Sequence, residues 1–194
     1  MKALAATHKD WLLFDQDECW FSRFAQPTAH AWAAHRRPLR LVQREAGRHE
    51  EQKALACFGA VRQDTDQVYL DFCQGQPNSE QAWAFVQRLL DVARQEGKRV
   101  VIIIWDHASW HKSKRLKRWM RHYNRQAKHN DDVRLLSFLL PRKSPWLNPI
   151  EPRWIHAKRQ VCEPDGDLSP EELERRLCSH FHTQPLSNMA IQHM

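Results

Sequence analysis

Val100-Val101-Ile102-Ile103-Ile104-Trp105-Asp106 is the stretch on which the fold turns. A short, unbroken apolar run is expected of a strand covered on both faces. Gly97 stands just before it, where a preceding helix should stop. Asp106 ends it, and sites in open α/β sheets gather at the carboxyl ends of strands. The stretch predicts a buried strand with an acid at its functional end.

Upstream, Asn78 and Ser79 precede a helical pattern reaching about Gln95, with Trp83, Val86, Leu89, Leu90 and Ala93 at helical spacing. Lys53 to Val61 and Val68 to Phe72 read as two strands joined by a polar turn from Arg62 to Gln67. Residues 23–50, rich in Arg, His and Ala and carrying Pro27 and Pro38, read as loop with short strand pieces. Trp11 to Phe14 is a strand entering the core, and Asp15 and Asp17 follow it on one face.

Downstream, Lys112 to Lys128 reads as a very basic helix, and Arg134 to Leu140 as a strand ended by Pro141. A helix follows from about Pro149 or Pro152 to Val161. The last helix starts with Ser169 as N-cap, Pro170 in the first turn and Glu172 as capping-box partner, and runs to about Phe181. The tail past Pro185 is expected to fray. This order predicts an α/β fold, a mixed sheet with helices on both faces.

At 194 residues the chain is expected to form a single domain, 1–194, with its core at about 11–182. Five glycines and nine tryptophans argue against disorder. A formal charge of +7 makes a polyanionic partner plausible. Cys19, Cys57, Cys73, Cys162 and Cys178 are odd in number and include no CxxC pair, which points to a reducing compartment. There is no signal-peptide core and no stretch of membrane-spanning length, so a soluble cytoplasmic protein is expected.

Three acids end three core elements: Asp17, Asp106 and Glu151. Singly, each has a plain structural explanation. Asp106 would cap a turn, Asp17 would sit exposed at a strand end, and Glu151 would reach back to cap a helix with Asn148. Together they favour a site for hard cations, because Mg²⁺ takes oxygen ligands and leaves room for water and phosphate. Two such ions can activate an attacking oxygen and stabilise a leaving one. Asp15 is the alternate for Asp17 on the same strand face.

These residues also carry a family likeness. Asp17-Glu18, the block Asp106-His107-Ala108-Ser109-Trp110-His111-Lys112-Ser113, and the block Ser144-Pro145-Trp146-Leu147-Asn148-Pro149-Ile150-Glu151-Pro152-Arg153-Trp154 resemble the DDE transposase domain of the IS630/Tc1/mariner superfamily. The last block is highly specific, the second moderately so, and Asp-Glu alone is weak. The resemblance runs from about residue 11 to about 182 and looks closest to bacterial IS630-type proteins. It implies a ribonuclease-H-like fold, cut-and-paste DNA strand transfer, and Asp17, Asp106 and Glu151 as catalytic and metal-binding triad. Three departures stand out. His107 replaces the usual Asn, the spacing from Asp106 to Glu151 is wide, and Pro152 directly follows Glu151. A helix-turn-helix module, usual in the family, finds no room before the first strand.

The stretch from Lys112 to Lys128 has eight Lys or Arg, with Leu116, Trp119, Met120 and Tyr123 as a buried stripe. It is either a solvated helix face or a phosphate-contacting one. On the second reading Lys112, Lys114, Arg115, Lys117 and Arg118 meet DNA. His111 would orient a phosphate or cap this helix. Cys178-Ser179-His180-Phe181-His182 lacks good ligand spacing for zinc. Trp32, Trp83, Trp105 and Trp119 are expected in the core, while Trp146 and Trp154 would buttress Glu151.

The expected function is a transposase endonuclease and strand transferase using Mg²⁺ or Mn²⁺ by a two-metal mechanism. Its partners would be transposon-end and target DNA, an upstream helix-turn-helix polypeptide and a second copy of the chain, on a bacterial nucleoid. The alternatives are a catalytically inactive DNA-binding relic of the same fold, or a ribonuclease-H-like nuclease acting on another nucleic acid.

Overall fold

The computed structural model describes residues 7–23, 28–32, 38–42, 54–73, 75–142, 144–161 and 167–188. β1 (Trp11–Ser22) is the middle strand of a five-stranded sheet. On one side it pairs antiparallel with β4 (Ala54–Arg62), which pairs antiparallel with β5 (Val68–Cys73). On the other it pairs parallel with β6 (Val100–Trp105), which pairs parallel with β7 (Arg134–Leu139). The spatial order is β5-β4-β1-β6-β7. β2 (Thr28–Trp32) and β3 (Pro38–Val42) form a separate antiparallel pair, the short strand pieces expected around Pro27 and Pro38. The rest of that region, Cys162 and the side chain of Trp32 lie outside what is described.

β1 is longer than its apolar start suggested. Polar Asp15, Gln16, Asp17 and Glu18 remain in the strand because β4 pairs with it throughout and satisfies its backbone. Alternation sends Leu12 and Phe14 to one face and Leu13 to the other.

α1 (Ser79–Gln95) starts with the capping box of Asn78 and Gln81, and Gly97 follows it in the left-handed region at φ 63°. α2 (Lys114–His129) is capped by Ser113, whose side chain accepts from the Leu116 amide. These two helices cover the Leu12/Phe14 face through Phe85, Leu89, Leu116 and Met120, with Trp83, Trp119 and Tyr123 packed at the edge. α3 (Glu151–Val161) and α4 (Pro170–Phe181) cover the β1-β4-β5 part of the opposite face through Ile150, Trp154, Ala157 and Leu177. On that same face β6 and β7 leave Leu136 and Phe138 partly exposed. Helices thus lie on both faces, as expected.

Ser169 caps α4, but the expected capping box is only half formed. Glu172 turns its carboxylate to Arg175 and Arg176 at 2.7–2.8 Å, and these charged partners win over one backbone amide. No helix among the described residues is long and apolar enough to cross a membrane.

Candidate active site

Strand register creates the site. β1 and β6 pair from Trp11 with Val100 to Asp15 with Ile104. Asp17 lies two residues beyond the last of these pairs on β1, and Asp106 two residues beyond it after β6. The antiparallel ladder sets Gly59 directly opposite Asp17. Any side chain at Gly59 would overlap the six-membered ring of Trp154 and the tip of Ile150. The missing side chain therefore lets α3 lie close against the sheet. From there the indole N–H of Trp154 donates to Oδ2 of Asp17 at 3.2 Å.

Glu151 opens α3 and lies one turn from Trp154, so both occupy the same side of the helix. The turn before it is tied down as well. Asn148, 2% exposed, donates its amide to the Gln16 carbonyl of β1 at 3.2 Å. Pro152 sits in the first turn of α3, where its missing N–H breaks no helical bond.

Asp106 lies in the loop after β6 with half its side chain exposed. Its Oδ1 accepts from the Ala108 amide and from His111 Nδ1, both at 2.9 Å. His107, standing where the resembled family has Asn, turns away to the Leu140 carbonyl at 2.7 Å.

The electrostatics reflect this convergence. Burial, then the charges of Glu151 and Glu18, and more weakly that of Asp106, push the Asp17 carboxyl up to about 7. Asp106 goes the other way. Burial acts to raise it, but hydrogen bonds from His111 and Ala108 outweigh that and hold it below the usual carboxylate range. Cys19, on the same strand face as Asp17, is pushed up to about 11 chiefly by burial and stays a neutral thiol. Asp15, the alternate, lies deeper in β1, fully buried, and accepts from the Gln63 side chain.

His111 is neither a phosphate contact nor a helix cap. Its side chain is fully buried, its Nε2 meets Glu18 Oε1 at 3.0 Å, and Ser113 caps α2 instead. Burial acts to lower its pKa, but the hydrogen bonds it donates to Asp106 and Glu18 outweigh this and push it up to about 9. Lys112, Lys114, Arg115, Lys117 and Arg118 are all exposed at the start of α2 or just before it. Arg115 is engaged by Glu80 and stacks on Trp119 at 4.7 Å.

Trp154 is buried as a buttress should be, whereas Trp146 is 74% exposed and so is not packed as one. His180 packs on the His156 ring at 5.4 Å, and the Cys178–His182 run forms no metal-ligand group among the described residues. Gly59, Asn148 and Glu18 were not singled out from sequence as parts of a site. Only the pairing of Asp-Glu with two longer motif blocks hinted at Glu18.

Residues 13–166 match the family described as DDE superfamily endonuclease. The chain belongs to that family. No curated protein matches this DDE endonuclease chain. Among solved structures it resembles the Mos1 transposase paired-end complex with left transposon end, at TM-score 0.61 and 16% identity, over 89% of this chain and 48% of that one. The Mos1 mariner paired-end complex with Mn gives 0.59 and 17% over the same shares. A pre-cleavage Mos1 transpososome gives 0.57 and 15%, over 95% of this chain and 54% of that one. The ribonuclease-H-like fold is thus shared, and the DDE endonuclease chain spans about half the length of the transposase chains it matches.

Proposed function

We propose that this chain is the catalytic domain of a transposase, a divalent-metal-dependent DNA endonuclease and strand transferase. Asp17, Asp106 and Glu151 hold the metal. The observation that carries this reading is that the charges of Glu151, at the start of α3, and of Asp106, past the end of β6, both act on the buried carboxyl of Asp17 in β1. Burial, then the charges of Glu151 and Glu18 and more weakly that of Asp106, push that carboxyl up to about 7. Such a cluster is relieved by a cation.

The donor set fits a hard divalent ion. It offers carboxylate oxygens, and the nearby sulfur of Cys19 stays a neutral thiol, so Mg²⁺ or Mn²⁺ suits it better than a thiophilic metal. One of the Mos1 complexes that share the fold contains Mn. Bound as a pair, such ions would supply Lewis-acid activation of the attacking oxygen and stabilisation of the leaving one.

The chain's own residues do the rest. Trp154 and Asn148 hold α3 against β1, which fixes Glu151 relative to Asp17. His111 and the Ala108 amide occupy Oδ1 of Asp106. The exposed side chains of Lys112, Lys114, Lys117 and Arg118, with Arg115 beside them, hold DNA phosphates at the mouth of the site. In cleavage, water attacks the phosphorus and the bond to the 3′ oxygen breaks. In strand transfer, a DNA 3′-hydroxyl attacks instead, and one phosphodiester replaces another.

The substrates on this reading are transposon ends and target DNA, as transposon-end DNA is present in a Mos1 complex. A helix-turn-helix polypeptide that reads the end sequence and a second copy of this chain are proposed partners, on the bacterial nucleoid in the cytoplasm. The test is nicking of supercoiled plasmid with Mg²⁺, Mn²⁺ or Ca²⁺, in wild type and in Asp106→Ala. Activity is expected with the first two ions, and none with Ca²⁺ or in the variant. Cutting that survives chelation or Asp106→Ala sinks the enzyme reading. Silence with every ion favours the inactive relic.

A further inference from the structure

Glu18 has no task in this chemistry, yet it is an acid nearly buried on the face of β1 opposite Asp17. Its Oε1 accepts from Gln16 Nε2 and meets His111 Nε2, both at 3.0 Å. His111 lies flat on Trp105, ring centroids 4.6 Å apart and planes 10° apart. Its other nitrogen meets Asp106 Oδ1 at 2.9 Å. A line of polar groups thus runs from the α1/α2 side of the sheet, past the end of β6, to the candidate site.

We propose that Glu18 and His111 form a brace that aims Asp106, with His111 as a positioning residue and Glu18 as its anchor. This rests on the reading of Asp106 as a metal ligand. An aspartate held only by the Ala108 amide can turn about its last torsion. A second donor on the same Oδ1 restrains the plane of the carboxylate and would leave Oδ2 for an ion. The Trp105 stack ties the donor to the strand that carries Asp106, so donor and acceptor move together. Glu18 fixes the tilt of the ring from the far side, and Gln16 fixes Glu18.

Glu18, Asp106 and His111 bring ligand atoms within 4.8 Å of one another, which invites a metal site there instead. The hydrogen bonds argue for the brace. Both ring nitrogens already face carboxylate oxygens at hydrogen-bond distance, so a metal on either would have to break one of the two contacts. Outer partners of this kind commonly change metal affinity by about 10- to 100-fold when removed.

Two polar variants separate the ends of the brace. His111→Asn places an amide donor near the position of Nδ1 and loses the reach to Glu18. His111→Gln reaches toward Glu18 and loses the contact with Asp106. Mn²⁺ binding to the full chain, followed by the loss of the free-ion paramagnetic resonance signal, reads affinity and stoichiometry without any turnover. Melting without metal controls for folding.

Expected is a drop in Mn²⁺ affinity of about 10-fold or more for His111→Gln, a smaller drop for His111→Asn, and unchanged stoichiometry. Glu18→Gln, which keeps an acceptor oxygen, should stay within about 3-fold of wild type, and Glu18→Ala should fall further. In the His111→Gln background Glu18→Ala should add little, since the brace acts as a unit. Equal affinity of the Asn and Gln variants, or the reverse order, overturns the brace. A lost ion in either variant overturns it too, by making His111 a ligand. If wild type binds Mn²⁺, Asp106→Ala does not, and both His111 variants match wild type, the reading of Asp106 stands and the brace alone fails. If wild type binds no Mn²⁺, that reading fails and the brace falls with it.

Discussion

The ring of Trp154 fills the space that a side chain at Gly59 would need, and its N–H reaches the carboxylate of Asp17 directly across the ladder from that glycine. Gly59 is therefore a condition of the site although it offers no chemical group. Gly59→Ala should cost roughly 1–3 kcal/mol, as overpacking does, and cut metal-dependent nicking by about 10-fold or more. Trp154→Phe removes the ring atoms in conflict, so Gly59→Ala should cost less in that background. Denaturant melts of the four proteins test the cycle, and strict additivity would rule out the contact as cause.

Trp154→Phe alone separates packing from hydrogen bonding. The aromatic volume largely remains, but Asp17 loses its donor. Nicking should fall more than stability does. A variant with wild-type turnover would show that Asp17 needs no help from α3.

Neutral isosteres at the three acids probe the site itself. Asp17→Asn, Asp106→Asn and Glu151→Gln should each lower plasmid nicking by about 100-fold or more, since the removed charge is aimed at the reacting centre. Asp17→Asn should also raise the melting temperature of the metal-free protein, because it removes a buried acid crowded by Glu151 and Glu18. An active Glu151→Gln enzyme would take α3 out of the proposed chemistry.

Lys114, Lys117 and Arg118 are exposed on α2. Their replacement by Ala should weaken DNA binding about equally on unrelated sequences. It should also reduce the slope of log affinity against log salt by about three. Arg115, engaged by Glu80 and Trp119, should contribute less than any of these. Filter binding across a salt series gives both quantities, and a sequence-selective loss would contradict phosphate contact.

His180 sets a pH dependence away from the site. Burial, then the charges of His156 and His182, lowers its pKa below 6.5, so its neutral form is favoured in the folded state. The stability it contributes is full above pH 6.5 and is lost as pH falls through the lowered folded value. His180→Gln should flatten part of the loss between pH 7 and pH 5 in urea melts. Identical profiles for variant and wild type would refute this.

Much of the fold was legible because periodicity reports burial. The run from Val100 to Trp105 is a strand with those same ends, and Leu116, Met120 and Tyr123 mark the packed side of α2. Asp106 and Glu151 were singled out as candidates through motif blocks that fall at a strand end and a helix start, whereas Asp17, expected to end its element, lies within β1. The supports of these acids were not legible. Gly59 reads as an ordinary strand glycine until β4 is paired with β1. Asn148 reads as a helix cap until it is seen donating to Gln16. His111 read as a phosphate contact or a helix cap, but it is buried against Glu18, 93 positions away in the sequence. Pairings across the chain leave no local trace, and the site depends on them.

The length of β1 has a consequence for how this gene can vary. Asp17 and Glu18 are neighbours in sequence, yet they serve opposite faces of one strand. Losing a single codon between Phe14 and Asp17 would leave the apolar start of β1 in place and turn every later side chain over. Glu18 would then stand where Asp17 belongs, and Cys19 would face the wrong layer. An insertion at the exposed tip of the turn from Arg62 to Gln67, near Thr65, would turn over neither strand, although Gln63 and Asp66 on its flanks are tied to Asp15 and Arg153. Length changes should therefore be tolerated at the rim of the sheet and purged from its middle strand, even where the codons lost are not those of the acids themselves.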